Sequence, residues 1–160
     1  MLTNKNAVIY GAGGAVGGAV ARAFAREGAR VFLTGRNLSK VDAVAKEIMA
    51  AGGKAESAQV DALDEQAVNQ HLQSVIDKAA CVDISFNAVG IPNATLQGVP
   101  LVELAAEQFS LPIAAYTRSY FLTARLAARR MVEKRSGVIM TVTSVPSRTG
   151  IPLTGASVRR

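Results

Sequence analysis

The chain has 160 residues, of which 49% are apolar and 19% charged, with a single cysteine. This composition predicts one globular domain over residues 1–160 and excludes an intramolecular disulfide framework, so we expect a reducing, cytoplasmic setting. No apolar run approaches the ~18 residues of a membrane span, so no membrane partner is expected. The only histidine, His71, is expected on a helix surface without metal-ligand spacing, and Cys81 is expected to be a small buried residue.

The net charge of +6 is unevenly distributed along the chain. Residues 1–117 carry nine basic and eleven acidic side chains, whereas residues 118–160 carry nine basic and one acidic. A nucleic-acid patch and the solvated face of a helix are both open interpretations of this basic group. The second is favoured because Leu122, Leu126 and Met131 share the same helical pattern, and no nucleic-acid partner is expected.

Strand-like and helical patterns alternate along the chain. The strand-like runs are 7–10, 30–34, 55–60, 82–87 and 137–143, and the helical patterns are 15–27, 39–52, 64–80, 101–109 and 112–134. Ser39 with Asp42 predicts the N-cap of the second helix, and Asp64 predicts the start of the third. The alternation predicts an α/β fold, a doubly wound parallel sheet between two helix layers.

A glycine-rich turn follows the first strand, in the sequence Ala-Val-Ile-Tyr-Gly-Ala-Gly-Gly-Ala-Val-Gly (7–17). A strand, such a turn and a helix are the arrangement that places a dinucleotide pyrophosphate on a helix N-terminus. The spacing departs from Gly-x-Gly-x-x-Gly because position 16 is Val. Taken by itself, the glycine-rich segment could therefore also be a turn with a purely structural role that binds no ligand.

Small or polar residues follow each predicted strand, where a parallel sheet binds its ligands. They are the glycine turn, Gly35-Arg36, Asp61, Asn87-Ala88-Val89-Gly90 and Thr143-Ser144. In these motifs and their order, the chain resembles the short-chain dehydrogenase/reductase family over residues 5–153. The resemblance implies a Rossmann-type dinucleotide-binding domain that acts as an oxidoreductase on a small carbonyl or alcohol substrate.

The resemblance also implies a role for each of these segments. The pyrophosphate would lie on Gly11, Gly13, Gly14, Ala15, Val16 and Gly17. Asp61 and Ala62 would lie beside the adenine, and Asn87, Ala88 and Gly90 would line the ribose. Ser144, at the end of the fifth strand, would be the catalytic serine that hydrogen-bonds the substrate oxygen.

Arg36 bears on the choice of cofactor. Enzymes that use NAD usually carry an acid at the end of the second strand, where this chain has Gly35 followed by Arg36. An acid would repel a 2′-phosphate, whereas a guanidinium can bind one in bidentate fashion. NADP is therefore favoured over NAD, and an ordinary surface arginine is the alternative interpretation.

The family's Tyr-x-x-x-Lys motif is not found in this sequence. The three tyrosines, Tyr10, Tyr116 and Tyr120, are followed four residues later by Gly14, Tyr120 and Ala124, and Tyr116 stands where the family has an asparagine. We expect a chain truncated after the serine strand, with its sheet incomplete at the C-terminus. A non-catalytic dinucleotide-binding or interaction module is therefore the second functional hypothesis.

The apolar side chains of the long helix leave two structural interpretations open. They could pair two copies of the chain in a homo-oligomer, as family members often do, or they could pack in the core, which is favoured.

Overall fold

The structure is a computed structural model that describes residues 1–91 and 98–143. Across these ranges, parallel strands form one sheet in the order β3-β2-β1-β4-β5. The strands are β1 (Asn6–Tyr10), β2 (Arg30–Gly35), β3 (Lys54–Gln59), β4 (Ile84–Asn87) and β5 (Val138–Thr141). The helices are α1 (Ala15–Arg26), α2 (Leu38–Ala50), α3 (Glu65–Ala79) and α4 (Ala106–Lys134), and a 3-10 turn spans Leu101–Glu103.

Helices cover both faces of the sheet because its central strands are apolar on both sides. Ile9 and Leu33 point to the face covered by α1 and α2, where Val41 and Ile48 are buried with them. The neighbouring residues of the same strands face the opposite layer, which contains Val8, Tyr10, Phe32, Leu72 and Leu126. Burial on both faces is typical of parallel sheets, and the predicted doubly wound fold is confirmed.

The register places β1 at the centre of the sheet. Tyr10 pairs with Thr34 of β2 on one side and with Asn87 of β4 on the other. The carboxyl ends of β1, β2 and β4 therefore lie side by side, which is the edge at which open parallel sheets bind their ligands.

Two predicted helix boundaries are wrong. The cap of α2 is Asn37 rather than Ser39: Asn37 Oδ1 accepts the backbone N–H of Lys40 (3.2 Å) and the hydroxyl of Ser39 (2.7 Å). The predicted break between residues 109 and 112 is absent, since α4 runs continuously through Pro112. A proline near the start of a long helix removes one N–H donor, and packing along the rest of α4 outweighs that loss.

The basic residues of α4 lie on its solvent side, as predicted, and three of them also bind neighbouring segments. Arg118 Nε donates to the carbonyl of Leu63 (2.8 Å), and Arg130 donates to Asn69 Oδ1 (3.0 Å). Arg125 forms an ion pair with Glu65 at the start of α3. Arg125 and Arg130 thus connect α4 to α3, and Arg118 connects it to the turn that precedes α3. The apolar residues on the other side of α4, including Ala115, Leu122, Leu126 and Met131, are buried within the chain, as the core-packing interpretation predicts.

His71 and Cys81 also differ from expectation. His71 is half-buried on α3, where it lines a groove of about 270 Å³ between α3 and β3, rather than fully exposed on the helix surface. Cys81 is half-buried just before β4, where its sulfur accepts a hydrogen bond from Asn6 Nδ2 (3.4 Å).

Over residues 1–91 and 98–143, we find no helix with the length and apolar character needed to cross a membrane.

Candidate dinucleotide site

The glycine turn packs backbone against backbone. Gly11 has a φ of +74°, and a Cβ placed there would lie 2.6 Å from the carbonyl oxygen of Ala88. A Cβ at Gly17 would lie only 2.3 Å from the carbonyl oxygen of Gly11. Real Cβ atoms do not approach backbone this closely, so both positions require glycine. The first turn of α1 consequently lies directly against the end of β1.

The N-terminus of α1 has no capping side chain, and its first two residues, Ala15 and Val16, are exposed while Gly17 is buried against the turn. Its N-cap is Gly14, which supplies no side-chain acceptor, and its first turn contains no acid. Among the described residues, no acceptor outside the helix meets the N–H groups of Ala15, Val16 and Gly17. Free helix N–H groups and the positive end of the helix dipole together form an anion-binding site.

Arg36 lies at the carboxyl end of β2, next to this turn. The N–H of Ala12 donates to the carbonyl of Thr34 (2.9 Å), which ties the glycine turn to β2. Gln59 Nε2 donates to the carbonyl of Arg36 (3.0 Å) and fixes its backbone. The Arg36 side chain is exposed, and among the described residues its guanidinium has neither a hydrogen bond nor an ion pair.

Asp61 and Ala62 continue the same edge after β3. Asp61 Oδ1 accepts the N–H of Leu63 (2.9 Å), and its carbonyl accepts the N–H of Asp64 (3.0 Å). Ala62 is buried. The Asp61 carboxylate thus shapes the turn that leads into α3, and one of its oxygens is already occupied.

Asn87 is a buried structural side chain, with only 1% of its surface exposed. Its Nδ2 donates to Thr123 Oγ1 (2.9 Å), and its Oδ1 accepts the N–H of Val89 (2.8 Å). Both ends of the amide are therefore engaged inside the protein. What this segment presents toward the turn is the backbone of Ala88, while Gly90 is exposed.

Sequence reasoning missed Thr123 as the partner of Asn87. Thr123 is 1% exposed on α4, and its hydroxyl also donates to the carbonyl of Ser119 (2.8 Å). A hydroxyl residue at a core position of an amphipathic helix is the signal that could have found it, because buried polar groups need partners.

The tyrosines differ in their surroundings. Tyr10 is fully buried, and among the described residues its hydroxyl has no partner, so burial raises its pKa and keeps the phenol neutral. Tyr116 and Tyr120 lie on α4 with ring centroids 6.0 Å apart, and the Tyr120 hydroxyl donates to the carbonyl of Val142 (2.6 Å). Ser144 lies outside the described residues, two positions beyond that carbonyl.

Comparison with known proteins decides the family. The family model described as short chain dehydrogenase matches residues 5–156. The chain belongs to the short-chain dehydrogenase family. The resemblance seen in the sequence is thereby confirmed.

Relatives within this family include an uncharacterized oxidoreductase of Bacillus subtilis, 34% identical over 88% of this chain and 50% of the relative. A 3-oxoacyl-[acyl-carrier-protein] reductase of Synechocystis is 30% identical over 94% of this chain and 60% of its own length. The chain thus spans about half the length of the curated relatives it matches.

Solved structures agree with the family and the fold. A metagenomic short-chain oxidoreductase in complex with NADP superposes with a TM-score of 0.85 at 30% identity, covering 97% of this chain and 69% of that one. A short-chain type dehydrogenase/reductase from Mycobacterium marinum superposes with a TM-score of 0.86 at 30% identity, covering 94% and 60%.

The nicotinamide dinucleotide that this family binds fits the residues present. The turn is a cradle that side chains at Gly11 or Gly17 would fill, and it ends in a helix whose first N–H groups lack acceptors in the described chain. A basic side chain with no protein partner among the described residues lies beside it at Arg36. These features suit a phosphate-bearing ligand.

Proposed function

We propose that this chain binds NADP(H) at the carboxyl edge of its sheet, as the dinucleotide-binding part of an oxidoreductase that acts on a small carbonyl or alcohol. The observation that carries the proposal is the glycine turn, in which the close approach of Gly17 to Gly11 brings bare helix N–H groups to the end of β1. The single free cysteine suits a reducing compartment, and we place the activity in the cytoplasm.

The backbone of the turn would hold the pyrophosphate. The N–H groups of Ala15, Val16 and Gly17 would donate hydrogen bonds to the phosphate oxygens. The full segment consists of Gly11, Gly13, Gly14, Ala15, Val16 and Gly17. Asp61 and Ala62 would border the adenine, and Ala88 and Gly90 would border the ribose. Asn87 would contribute indirectly. Its side-chain amide accepts the N–H of Val89 and so fixes the backbone of the loop after β4, which would border the ribose.

Arg36 would select NADP over NAD. Its exposed guanidinium is not neutralised by any described acid and stands at the end of β2, where a carboxylate would recognise the ribose hydroxyls of NAD. Bound NADPH supplies the hydride for reduction. Ser144 would donate a hydrogen bond to the substrate oxygen, the role that its match to the family's catalytic serine implies.

The experiment that tests this proposal is a titration of the chain with NADPH and with NADH at moderate salt. We expect NADPH to bind more tightly, and Arg36→Ala to weaken NADPH about tenfold while leaving NADH nearly unchanged. Arg26→Ala, an exposed arginine at the far end of α1, is the matched control. If Arg36→Ala retained the full preference for NADPH, Arg36 would not recognise the phosphate.

A non-catalytic dinucleotide-binding module is the second candidate. It is favoured by the tyrosines, none of which is followed by lysine four residues later. The lysine of that motif lowers the phenol pKa, so that the tyrosine can exchange a proton near neutral pH. Turnover with NADPH of a 3-oxoacyl thioester, the substrate class named for the Synechocystis relative, would exclude this candidate. Tight NADPH binding without any turnover would favour it.

A further inference from the structure

β3 lies at one end of the described sheet, and its outer edge is open. Its inner edge pairs with β2, and just beyond the strand the N–H of Val60 donates to the carbonyl of Gly35 (3.1 Å). Successive residues of a strand direct their backbone groups to opposite edges, so Ala55, Ser57 and Gln59 direct theirs outward. Among the described residues, these outward N–H and C=O groups have no partner. Such an edge is a template for pairing with a further strand.

The side chains of β3 do not protect this edge. The Ser57 hydroxyl is directed to one face of the sheet, where it donates to Asp42 on α2. On the other face, the Glu56 carboxylate is held by Arg30 (2.5 Å) and Lys78 (2.7 Å). Proteins usually protect edge strands with proline, a bulge or an unpaired charge. β3 contains no proline, and its only acid is already paired within the same chain.

The sequence of β3 suits antiparallel pairing with a second copy of itself. With the pairing centred on Ser57, all three outward residues meet outward residues of the other copy: Ser57 meets Ser57, and Ala55 meets Gln59. With the pairing centred on Glu56, Gln59 would extend past the end of the other strand. Two Glu56 carboxylates would also stand directly opposite each other, which destabilises a sheet. The register centred on Ser57 is therefore favoured.

Charge complementarity favours the same register. Lys54 is exposed and forms no ion pair within the part of the chain that the structure describes. Pairing about Ser57 sets Lys54 against Val60 of the other copy, so the next residue of that copy, Asp61, lies beside the lysine. The Asp61 carboxylate accepts one backbone N–H (2.9 Å) and likewise forms no described ion pair. Two-fold symmetry repeats this contact.

The flank of α2 beside this edge is partly apolar. Asp42 lies on that flank, because it accepts the Ser57 hydroxyl. Leu38 and Met49, four residues before Asp42 and seven after it, lie on the same side of the helix and are 39% and 50% exposed. Lys46 is exposed one turn after Asp42. When two copies pair, this flank meets its own copy, so apolar surface is covered and Lys46 offsets the charge of Asp42 near the axis.

We propose that the outer edge of β3 is an interface between two copies of this chain, which pair antiparallel about a two-fold axis at Ser57. The backbone of β3 supplies the hydrogen bonds, and the contact of Lys54 with Asp61 fixes the register. The proposal is independent of the apolar face of α4 and of the proposed function, so neither cofactor binding nor turnover enters its test.

Sedimentation velocity on the whole chain is the first test. We expect a dimer of twice 16.7 kDa at about 100 µM, as suits an interface of modest size. Lys54→Glu should weaken dimerisation about tenfold, because it sets two acids side by side. Lys134→Glu makes the same change in net charge at the exposed end of α4 and is the control, with an expected change of less than about twofold.

Cross-linking tests the register. In a chain that carries Cys81→Ser and so has no native thiol, Ser57→Cys places two thiols on residues whose Cα atoms lie about 5.5 Å apart, a separation that a disulfide spans. Gln59→Cys is the control: Gln59 is more exposed than Ser57, but its two copies lie four residues apart along the strands, about 14 Å. We expect mild oxidation to link Ser57→Cys chains and to leave Gln59→Cys chains unlinked.

Three results would overturn the proposal. The first is a wild-type chain that remains monomeric at this concentration. The second is a dimer that Lys54→Glu weakens no more than Lys134→Glu does, which would place the contact elsewhere on the chain. The third is cross-linking of Gln59→Cys that is as efficient as that of Ser57→Cys, which would show random collision instead of a fixed register.

Discussion

The carbonyl oxygen of Ala88 stands 2.6 Å from the point where a side chain at Gly11 would begin. This close approach brings together the turn after β1 and the loop after β4, two segments far apart in sequence. The approach is possible only because position 11 has no side chain and accepts a positive φ.

Replacement of Gly11 by alanine should therefore be severe. Gly11→Ala imposes both a positive φ and a collision with backbone, and we expect it to lower the free energy of unfolding by about 2–4 kcal/mol. Gly52→Ala is the control, because Gly52 has a φ of +83° with nothing within 4 Å of its Cβ position. Urea denaturation measures both variants. If Gly11→Ala and Gly52→Ala lost the same unfolding free energy, the collision with Ala88 would contribute nothing to the destabilisation of Gly11→Ala.

The buried pair of Asn87 and Thr123 gives a second prediction. Thr123→Val keeps the shape of the side chain but leaves the Asn87 Nδ2 without its acceptor at a fully buried position. We expect a loss of about 1–3 kcal/mol in the free energy of unfolding. Thr117→Val on the exposed face of α4 is the control, and should cost less than about 0.5 kcal/mol. If Thr123→Val and Thr117→Val lost similar unfolding free energies, the buried hydrogen bond between Asn87 and Thr123 would not stabilise the fold more than an exposed one.

His71 makes stability depend on pH. Burial, with the nearby charge of Lys78, lowers the pKa of His71 from 6.5 to about 4. The unfolded chain then binds a proton at a higher pH than the folded chain, so the stabilisation is complete above pH 6.5 and is lost as pH falls toward 4. Between pH 7.5 and 5.0 we expect a loss of about 2 kcal/mol in the free energy of unfolding.

The control for this prediction is His71→Leu, measured by urea denaturation at the same two pH values. It should flatten the pH dependence over this window. Glu56 also lines the groove, but a hydrogen bond from Lys78 lowers its pKa below the usual 4.5, so its contribution is lost at lower pH. An unchanged pH slope in His71→Leu would contradict the assignment to His71.

Val41 should obstruct a simple change of cofactor preference. A Cβ at Gly35 would lie 3.0 Å from Val41 Cγ2, so Gly35→Asp must displace a buried methyl group. We expect Gly35→Asp to weaken NADPH binding and to improve NADH binding little. Adding Val41→Ala should improve NADH binding several-fold over Gly35→Asp alone, and Val41→Ala by itself is the control. A full switch to NADH in Gly35→Asp alone would contradict this steric account.

The fold was predictable from sequence because the central strands are apolar on both faces and each strand is followed by a polar or glycine-rich segment. The order of helices and strands, and the segments that meet at the sheet edge, follow from that pattern. The detailed contacts were not predictable. Asn37 and Ser39 are both good N-caps two residues apart, and only tertiary packing of α2 chooses between them. Pro112 would end an isolated helix, yet the packed length of α4 carries the helix through it.

The side-chain contacts of the candidate site were likewise only partly predictable from sequence. The glycines follow from local chemistry, whereas the partner of Asn87 is a threonine 36 residues away on another element. The position of Lys40 against Gly13 depends on how α2 docks on the turn, which periodicity does not encode. Long-range side-chain contacts of this kind appear only once the elements are packed together.

The central place of β1 in the sheet has a consequence for how the chain is made. Ala7 pairs with Ile84, so β1 leaves the ribosome before a partner strand that lies 77 residues behind it in the chain. At typical rates of protein synthesis that interval is roughly 4 to 15 seconds. During it, one edge of β1 is open and can pair with other chains. The newborn chain therefore passes through an interval in which this edge of β1 is unpaired, because Ala88 reaches Gly11 only after it has emerged.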